Sequence, residues 1–411
     1  MVAPTTKVHA FFDLSATGGN YLTLDSTANK GKLNNVAAIL AGDVATDVSD
    51  YVTSVTISRG RDSQLFADMP AGRWRVTLKN MDRRFDPVYT LSPYFGNIVP
   101  GKRVQVVSES VVIADGNVED WNFDYQPGGA SVAYMVCGDA LSQLASAQFD
   151  GWFGTLGDTA GPRISDALDR TEVAFTLNRD IDTGVSTLQA DTVDWGTNVL
   201  QYLNLVTNSD LGWLFASADG SLTFRDRHFN LNATSAVAFD DVGTNLPYTG
   251  ITVGYGSEKL YNRVGIERAG GVSQTVDDTT SQGTYRVRSL TQTGLLLEDD
   301  TQSADMATYL LGVYADPELR ISSLTVQLAA LTAPQQQQVL ALDLISLVSV
   351  TFTPNNIGSA ITRTCIVEGI SHTISPSSHL VTLALGDTDR RATLRLNDTV
   401  FGKLNTNVLT F

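Results

Sequence analysis

The chain has 411 residues and a formal net charge of −16, with 43% hydrophobic and only 18% charged residues. That length exceeds what one compact core serves, so two or three domains are expected, and the low charged fraction excludes a disordered chain. The acidic balance argues against wholesale binding to nucleic acid, whose affinity comes from Lys and Arg neutralising phosphates.

In chain order, the opening MVAPTTKVHAFFDLSATGG lacks the basic start and apolar run of a secretory signal, so synthesis in the cytoplasm is expected. The stretch ISRGRDSQLFADMPAGRWRVTLKNMDRRFDP (57–87) then runs against the acidic background. It holds seven basic residues, Arg59, Arg61, Arg73, Arg75, Lys79, Arg83 and Arg84, against four acids. Within GRWRVTLKN the residues alternate: Arg73, Arg75, Thr77 and Lys79 fall on one side of a strand, Trp74, Val76 and Leu78 on the other. Such a basic ridge is either a solvated face or a contact surface for an acidic neighbour. Because the rest of the chain is acidic, that neighbour can be a second copy, and Arg73, Arg75 and Lys79 are candidate subunit-interface residues.

Further strands are expected at KRVQVVSE, VVIADGNVEDWNFDY and ASVAYMVCGD, so residues 1–145 read as an all-β unit. A 3.6-residue stripe of Val199, Leu203 and Val206 predicts a helix over 198–206 with Thr197 as its N-cap. A hairpin in LGWLFASADGSLTFRDRH, turning at ADG, follows it, and residues 146–240 read as an α/β insert. From 241 to 411 strands resume, interrupted by a helix over 303–314 with Ala307, Leu310 and Leu311 on its apolar side. The longest apolar-rich run, Val339 to Phe352, is broken by Asp343 and too short to span a bilayer.

The two β regions echo each other. NVEDWNFDYQPGGASVAYMVCGD ends at Asp139 and IVEGISHTISPSSHLVTLALGD at Asp387; Val118–Glu119 matches Val367–Glu368, and each copy closes on Gly-Asp. From Glu to that Gly there are 19 steps in one copy (119 to 138) and 18 in the other (368 to 386). A V-x-V strand precedes each. The order predicts a duplicated β unit with an insert between the copies.

Little in the sequence speaks for catalysis or a cofactor. Among four histidines, His372 and His379 flank a turn and can approach across it, but a surface or turn-bracing role is the expectation, since no thiol or carboxylate stands at ligand spacing. Cys137 and Cys365 lie in apolar strand-like runs and read as buried free thiols. The acid clusters Asp191/Asp194, Asp277/Asp278 and Glu298/Asp299/Asp300 are candidate hydrolytic pairs, but they stand in polar, loop-like settings; only Asp194 has an aromatic neighbour, Trp195. FRDRH (224–228) reads as a site of local ion pairs.

DVSDYVTSVTISRGR (47–61) and AGRWRVTLKNMDRRFDPVYTLSPYFGNIVPGKRVQV (71–106) resemble the opening of minor tail proteins of siphophages that infect actinobacteria. The match runs through Ser58-Arg59-Gly60-Arg61, Asn80, Asp82, Arg84-Phe85-Asp86-Pro87, Ser92-Pro93-Tyr94-Phe95-Gly96-Asn97 and Pro100-Gly101-Lys102-Arg103. YLTLDS and KGKLNN upstream, the insert hairpin, and DPELRISSLTVQL are also similar to the family, though only the 58–103 block is specific. The resemblance implies a tail-tip or baseplate-hub protein of the virion: mainly β, with two related tube-type, barrel-like β domains and an α/β insertion. It implies a homotrimer whose six β units close the tail tube beneath a distal tail protein ring. The tape-measure protein and the tip or fibre proteins are its other implied partners, with viral DNA passing through the lumen and no cofactor. For DNA to slide, the lumen is expected to be acidic or neutral. The alternatives are the hexameric distal tail protein, and a glycan-binding or glycan-hydrolysing β protein.

Overall fold

The computed structural model describes residues 2–12, 44–61, 66, 68–126, 131–230, 233–257 and 259–388. YLTLDS and KGKLNN therefore lie outside the described residues. The first part of the chain is all β: β1 (Thr6–Phe12), β2 (Val44–Asp47), β3 (Val52–Gly60), β4 (Arg73–Lys79), β5 (Arg103–Ser108), β6 (Val111–Asp124) and β7 (Val132–Gly138). The middle alternates: α1 (Ala140–Ser146), β8 (Trp152–Gly154), α2 (Ala160–Leu168), β9 (Arg179–Ile181), β10 (Asp191–Val193), α3 (Val199–Asp210), β11 (Trp213–Ala216) and β12 (Leu222–Arg225). The last part holds β13 (Val237–Phe239), β14 (Gly250–Tyr255), β15 (Arg263–Arg268), β16 (Gln274–Asp277), α4 (Thr279–Tyr285), β17 (Ser289–Leu295) and α5 (Asp300–Tyr314). It ends with β18 (Leu319–Gln327), α6 (Ala333–Leu340), β19 (Leu347–Phe352), β20 (Ile361–Ser375) and β21 (Ser378–Asp387). The architecture is mainly β.

Strands from both ends share one sheet. Its path is β14-β18-β21-β20-β3-β4-β7-β6-β5-β1-β2, with β19 pairing β20 and β13 pairing β19. Two runs of this sheet have the same order: β3-β4-β7-β6-β5-β1 and β14-β18-β21-β20-β19-β13. In each, the strand carrying Val-Glu (β6 or β20) pairs antiparallel with the strand ending in Gly-Asp (β7 or β21). The copies differ at the outer strand, where β1 runs antiparallel to β5 and β13 parallel to β19. The extra step in the first copy lies in the connection between Asp124 and Val132, which takes 8 steps where Thr373 to Leu380 takes 7.

Alternation places the core. In β4, Trp74, Val76 and Leu78 are buried while Arg73, Arg75 and Lys79 are exposed, as the period-two pattern requires of a strand with one wet face. Cys137 and Cys365 are buried free thiols within this core.

Of the middle helices α1 packs against β7 of this sheet, and α3 packs on α1 and α2. The helix after Thr197 begins one residue later than the stripe predicts: α3 spans Val199–Asp210, and Asn198 is its N-cap, accepting from the Gln201 amide at 3.0 Å. An amide side chain reaches that donor from the cap position, and Thr197 stands one step too early. The helix expected from 303 starts at Asp300, because Asp299 caps it by accepting from Gln302 N at 2.9 Å. β15–β17, α4 and α5 form a small unit of their own, with Val264, Ile266, Leu295, Leu297, Met306, Ala307 and Leu310 as its core.

Candidate subunit interface

Arg73, Arg75 and Lys79 stand on the open face of β4, whose two edges are both occupied, by β3 and β7. They do not form an edge. Around them the face carries hydroxyls, with Ser58 opposite Arg73 and Thr56 opposite Arg75. Arg75 lies over the Tyr134 ring at 5.4 Å, and Tyr134 donates to Asp124 at 2.7 Å.

The edges are elsewhere. β20 is longer than β19, so its first half, Ile361–Ile366, pairs β19 and its second half, Gly369–Ile374, pairs β3 along the same side. This second pairing joins the two β copies. At the junction Glu368 is an extra residue: the β20–β21 register shifts between Val367 and Gly369. In the first copy the β6–β7 register shifts between Val118 and Asp120, leaving Glu119 as the extra residue. Such a bulge bends its strand and lets one strand serve two neighbours. In both copies the glutamate side chain lies against the glycine of Gly-Asp, Glu119 at Gly138 and Glu368 at Gly386, where a Cβ would collide with it. That contact explains the repeated Val-Glu and Gly-Asp positions.

The same backbone bonds hold the strand before each junction. Gly101 N donates to Val118 O at 2.7 Å and Val118 N to Lys102 O at 2.8 Å; Ile345 N donates to Val367 O at 2.7 Å and Val367 N to Ser346 O at 2.9 Å. Gly101 and Ile345 both have positive φ, 85° and 62°. The copies therefore superpose position by position here, with Val99 standing for Asp343 and Pro100 for Leu344.

The seam between the copies is tight. A Cβ on Gly60 would collide with the Glu368 carbonyl and with Leu344. Arg59, almost fully buried, donates to Asp343 at 2.6 Å and to the Ala216 carbonyl at 2.8 Å, tying both copies to the insert hairpin. Arg61 lies over the Trp213 ring at 4.3 Å and 3.6 Å from Glu368.

The 80–102 connection, which holds most of the motif, is stapled from inside. Buried Asn80 accepts from Phe85 N at 3.0 Å, Asp86 from Val88 N at 2.9 Å and Arg83 at 2.7 Å, and Ser92 donates to Arg84 O. Phe85 is fully buried among Tyr51, Tyr94 and Trp121, with ring centroids 5.7, 5.5 and 6.2 Å away. Polar side chains point in here, while Met81, Val88 and Leu91 point out, each more than 70% exposed. The aromatic row continues along β6 from Trp121 through Phe123 to exposed Tyr125.

Asp139 of the first Gly-Asp caps α1 and accepts from Gly72 N at 2.7 Å. Burial lifts its carboxyl to about 6, against the pull of the Gly72 amide and Arg59.

Five of the seven clustered acids have structural employment. Asp191 pairs with fully buried Arg163 at 2.6 Å, Asp277 with Arg263 at 2.7 Å, Asp300 with Arg268 at 2.8 Å, and Asp278 and Asp299 cap helices. In FRDRH, Arg225 pairs with Asp180 and Asp182 across the sheet, not within the motif. His372 and His379 do meet, Nδ1 to Nε2 at 3.0 Å, across the β20–β21 hairpin; of the surface or turn-bracing role expected of them the surface half is wrong, because both lie on the buried face of their strands with Ile370, Ile374 and Val381. Among the described residues no group of three or more His, Cys, Asp or Glu side chains could hold a metal ion.

No protein-family model and no curated protein matches the chain. Solved structures do. The 43 kDa tail protein of prophage MuSo2 from Shewanella oneidensis matches with a TM-score of 0.56 at 15% identity, over 85% of this chain and 97% of that one. The tail protein from Neisseria meningitidis MC58 matches with a TM-score of 0.59 at 12% identity, over 85% and 95%. A chain of the Francisella PdpA-VgrG complex matches with a TM-score of 0.51 at 8% identity, over 95% of this chain and 54% of that one. At such identities the likeness establishes the architecture alone, one that this chain shares with these tail proteins.

Proposed function

We propose that the chain is a structural protein of a bacteriophage tail tip, a baseplate hub. Three copies form a ring that closes the tail tube, meets the distal tail protein and tape-measure protein above, and holds tip or fibre proteins below. The observation that carries this is the arrangement of edges. Two β copies are joined within one chain by β20 and β3. Among the described residues the equivalent edges, the second half of β6 and the outer side of β14, have no strand partner. A head-to-tail contact used once inside the chain and left open at both ends gives, on repetition, a ring when its rotation closes and a filament when it does not.

In such a ring the face carrying helices and insert must lie outside, where there is room. The bare face then forms the wall of the lumen: serine and threonine hydroxyls with Val132, Tyr134 and Val136 of β7, which separates Arg75 and Lys79 from Asp120 and Asp124 and Arg73 from Asn117. This wall is near charge balance, which suits sliding DNA. On this reading the three basic residues belong to the channel and not to the contact between copies.

Native mass of the purified chain tests the proposal. A trimer is expected; a hexamer favours the distal tail protein, and a monomer that binds glycan favours the third reading. Charge reversal of Arg73, Arg75 and Lys79 together should leave the mass unchanged, whereas loss of assembly would return them to the interface. Tight binding of duplex DNA at physiological salt would count against the gliding wall.

A further inference from the structure

We propose that the contact between copies is a strand pairing of β6 with β14 of a second copy, in the register that the seam inside the chain already displays. The proposal rests on the ring reading and adds which atoms meet.

The seam supplies the template: Gly369 pairs Gly60, Ile370 pairs Arg59, Ser371 pairs Ser58, His372 pairs Ile57 and Ile374 pairs Val55. Matching the copies through Glu119 and Glu368 sets Asp120, Trp121, Asn122, Phe123 and Tyr125 in place of Gly369, Ile370, Ser371, His372 and Ile374. On the other side, β3 pairs β4 with Val55 opposite Val76, and β14 pairs β18 with Ile251 opposite Leu324. Val76 and Leu324 are equivalent through Met135 and Leu383, their partners on β7 and β21. Hence Ile251, Val253, Gly254, Tyr255 and Gly256 take the places of Val55, Ile57, Ser58, Arg59 and Gly60. Glycine recurs at the position where a side chain would strike the glutamate carbonyl of the facing strand.

The predicted pairs are therefore Trp121 with Tyr255 of the partner subunit, Asn122 with Gly254 of the partner subunit, and Phe123 with Val253 of the partner subunit. Surface chemistry agrees. Tyr255 is 70% exposed, Tyr125 52% and Val99 41%, a set of apolar side chains that an isolated sheet edge has no reason to present. Where the internal seam uses the Arg59–Asp343 ion pair, the equivalent positions are Tyr255 and Val99, and the Trp121 indole donates to the Val99 carbonyl at 3.2 Å, fixing one wall of the notch. The tyrosine ring fills that notch, and backbone bonds along the edge supply the rest of the attraction, as in strand addition generally. The second copy is the occupant because the chain itself carries both halves of the contact.

Two variants of the full-length chain test this. Among the described residues a Cβ added at Gly256 would meet nothing within 4 Å, and the residue has no positive φ, so Gly256→Val should leave the chain folded, with an unchanged far-ultraviolet circular dichroism spectrum, and reduce the native mass to that of a monomer. Asn122→Cys combined with Gly254→Cys should, on mild oxidation, give disulfide-linked dimers and trimers that neither single variant gives, since directly opposed residues on paired strands stand within disulfide reach. Cys137 and Cys365 are buried and do not interfere. Trimers that persist in Gly256→Val, with no cross-link in the double variant, overturn the register and leave the ring standing. A wild-type chain that stays monomeric at every concentration overturns both.

Discussion

Arg59 and Asp343 stand 284 positions apart in the chain and meet at 2.6 Å, one near the end of β3, the edge strand of the first copy, and the other just before β19 of the second. Their contact holds the two copies edge to edge, and the same guanidinium reaches the insert through Ala216. Removing Asp343 leaves a buried cation hydrogen-bonded to the Ala216 carbonyl, with Asp139 and Asp219 as more distant counter-charges. Asp343→Ala is expected to cost about 2–4 kcal/mol, less than a fully buried pair because Asp343 retains some exposure. Chemical denaturation measures it, and an Arg59→Met, Asp343→Leu double variant should recover part of the loss.

Arg163 plays the corresponding part inside the insert. Its side chain is fully buried, with Asp191 at 2.6 Å and Asp158 at 3.4 Å. Asp191→Ala should destabilise the chain by roughly 3–5 kcal/mol, as stranding a buried charge does. A cost below about 1 kcal/mol by the same denaturation assay would show that Asp158 and the neighbouring carbonyls suffice.

The histidine pair predicts an acid limit to stability. Burial, the other imidazole and Arg59 push His372 well below its usual range, and burial lowers His379 to about 4. Unfolded, both bind protons near 6.5, so between that value and about 4 the unfolded state holds more protons. Stability is therefore fully present above about pH 6.5 and falls as the pH drops towards 4. Unfolding midpoints taken across this window should decline for the wild type and decline less steeply in His379→Leu, where buried His372 still titrates low.

Gly60 and Gly256 should respond oppositely to substitution. Gly60 has φ of 83°, and a Cβ there meets the Glu368 carbonyl, so Gly60→Ala combines backbone strain with a collision. A loss of about 2–4 kcal/mol is expected, read from the thermal midpoint of the single chain. A tolerated Gly60→Ala would mean that the seam opens easily, and that the motif glycine serves some other end.

Alternation and repetition were open to reading in one dimension. The strict period of Arg73-Trp74-Arg75-Val76 names its strand and its buried face without reference to any neighbour, because side chains on a strand point alternately by covalent geometry. The paired Val-Glu and Gly-Asp positions disclosed the duplication for the same reason: each is a local constraint, a bulge and the glycine that makes room for it. Helix starts were displaced by one to three residues, since Asn198 and Asp299 act through capping bonds whose choice depends on the whole turn. What only the tertiary structure decided is which strands share an edge. That β20 serves β19 and β3 in succession follows from no local pattern, because it depends on contacts between segments far apart in the chain. The inward turn of His372 and His379 was open to reading, since each alternates in phase with buried aliphatics, Ile370 and Ile374 on one strand, Val381 and Leu383 on the other. The basic ridge shows the division plainly: the sequence told that Arg73, Arg75 and Lys79 share a face, and only the sheet order told that this face belongs to a strand already paired on both sides.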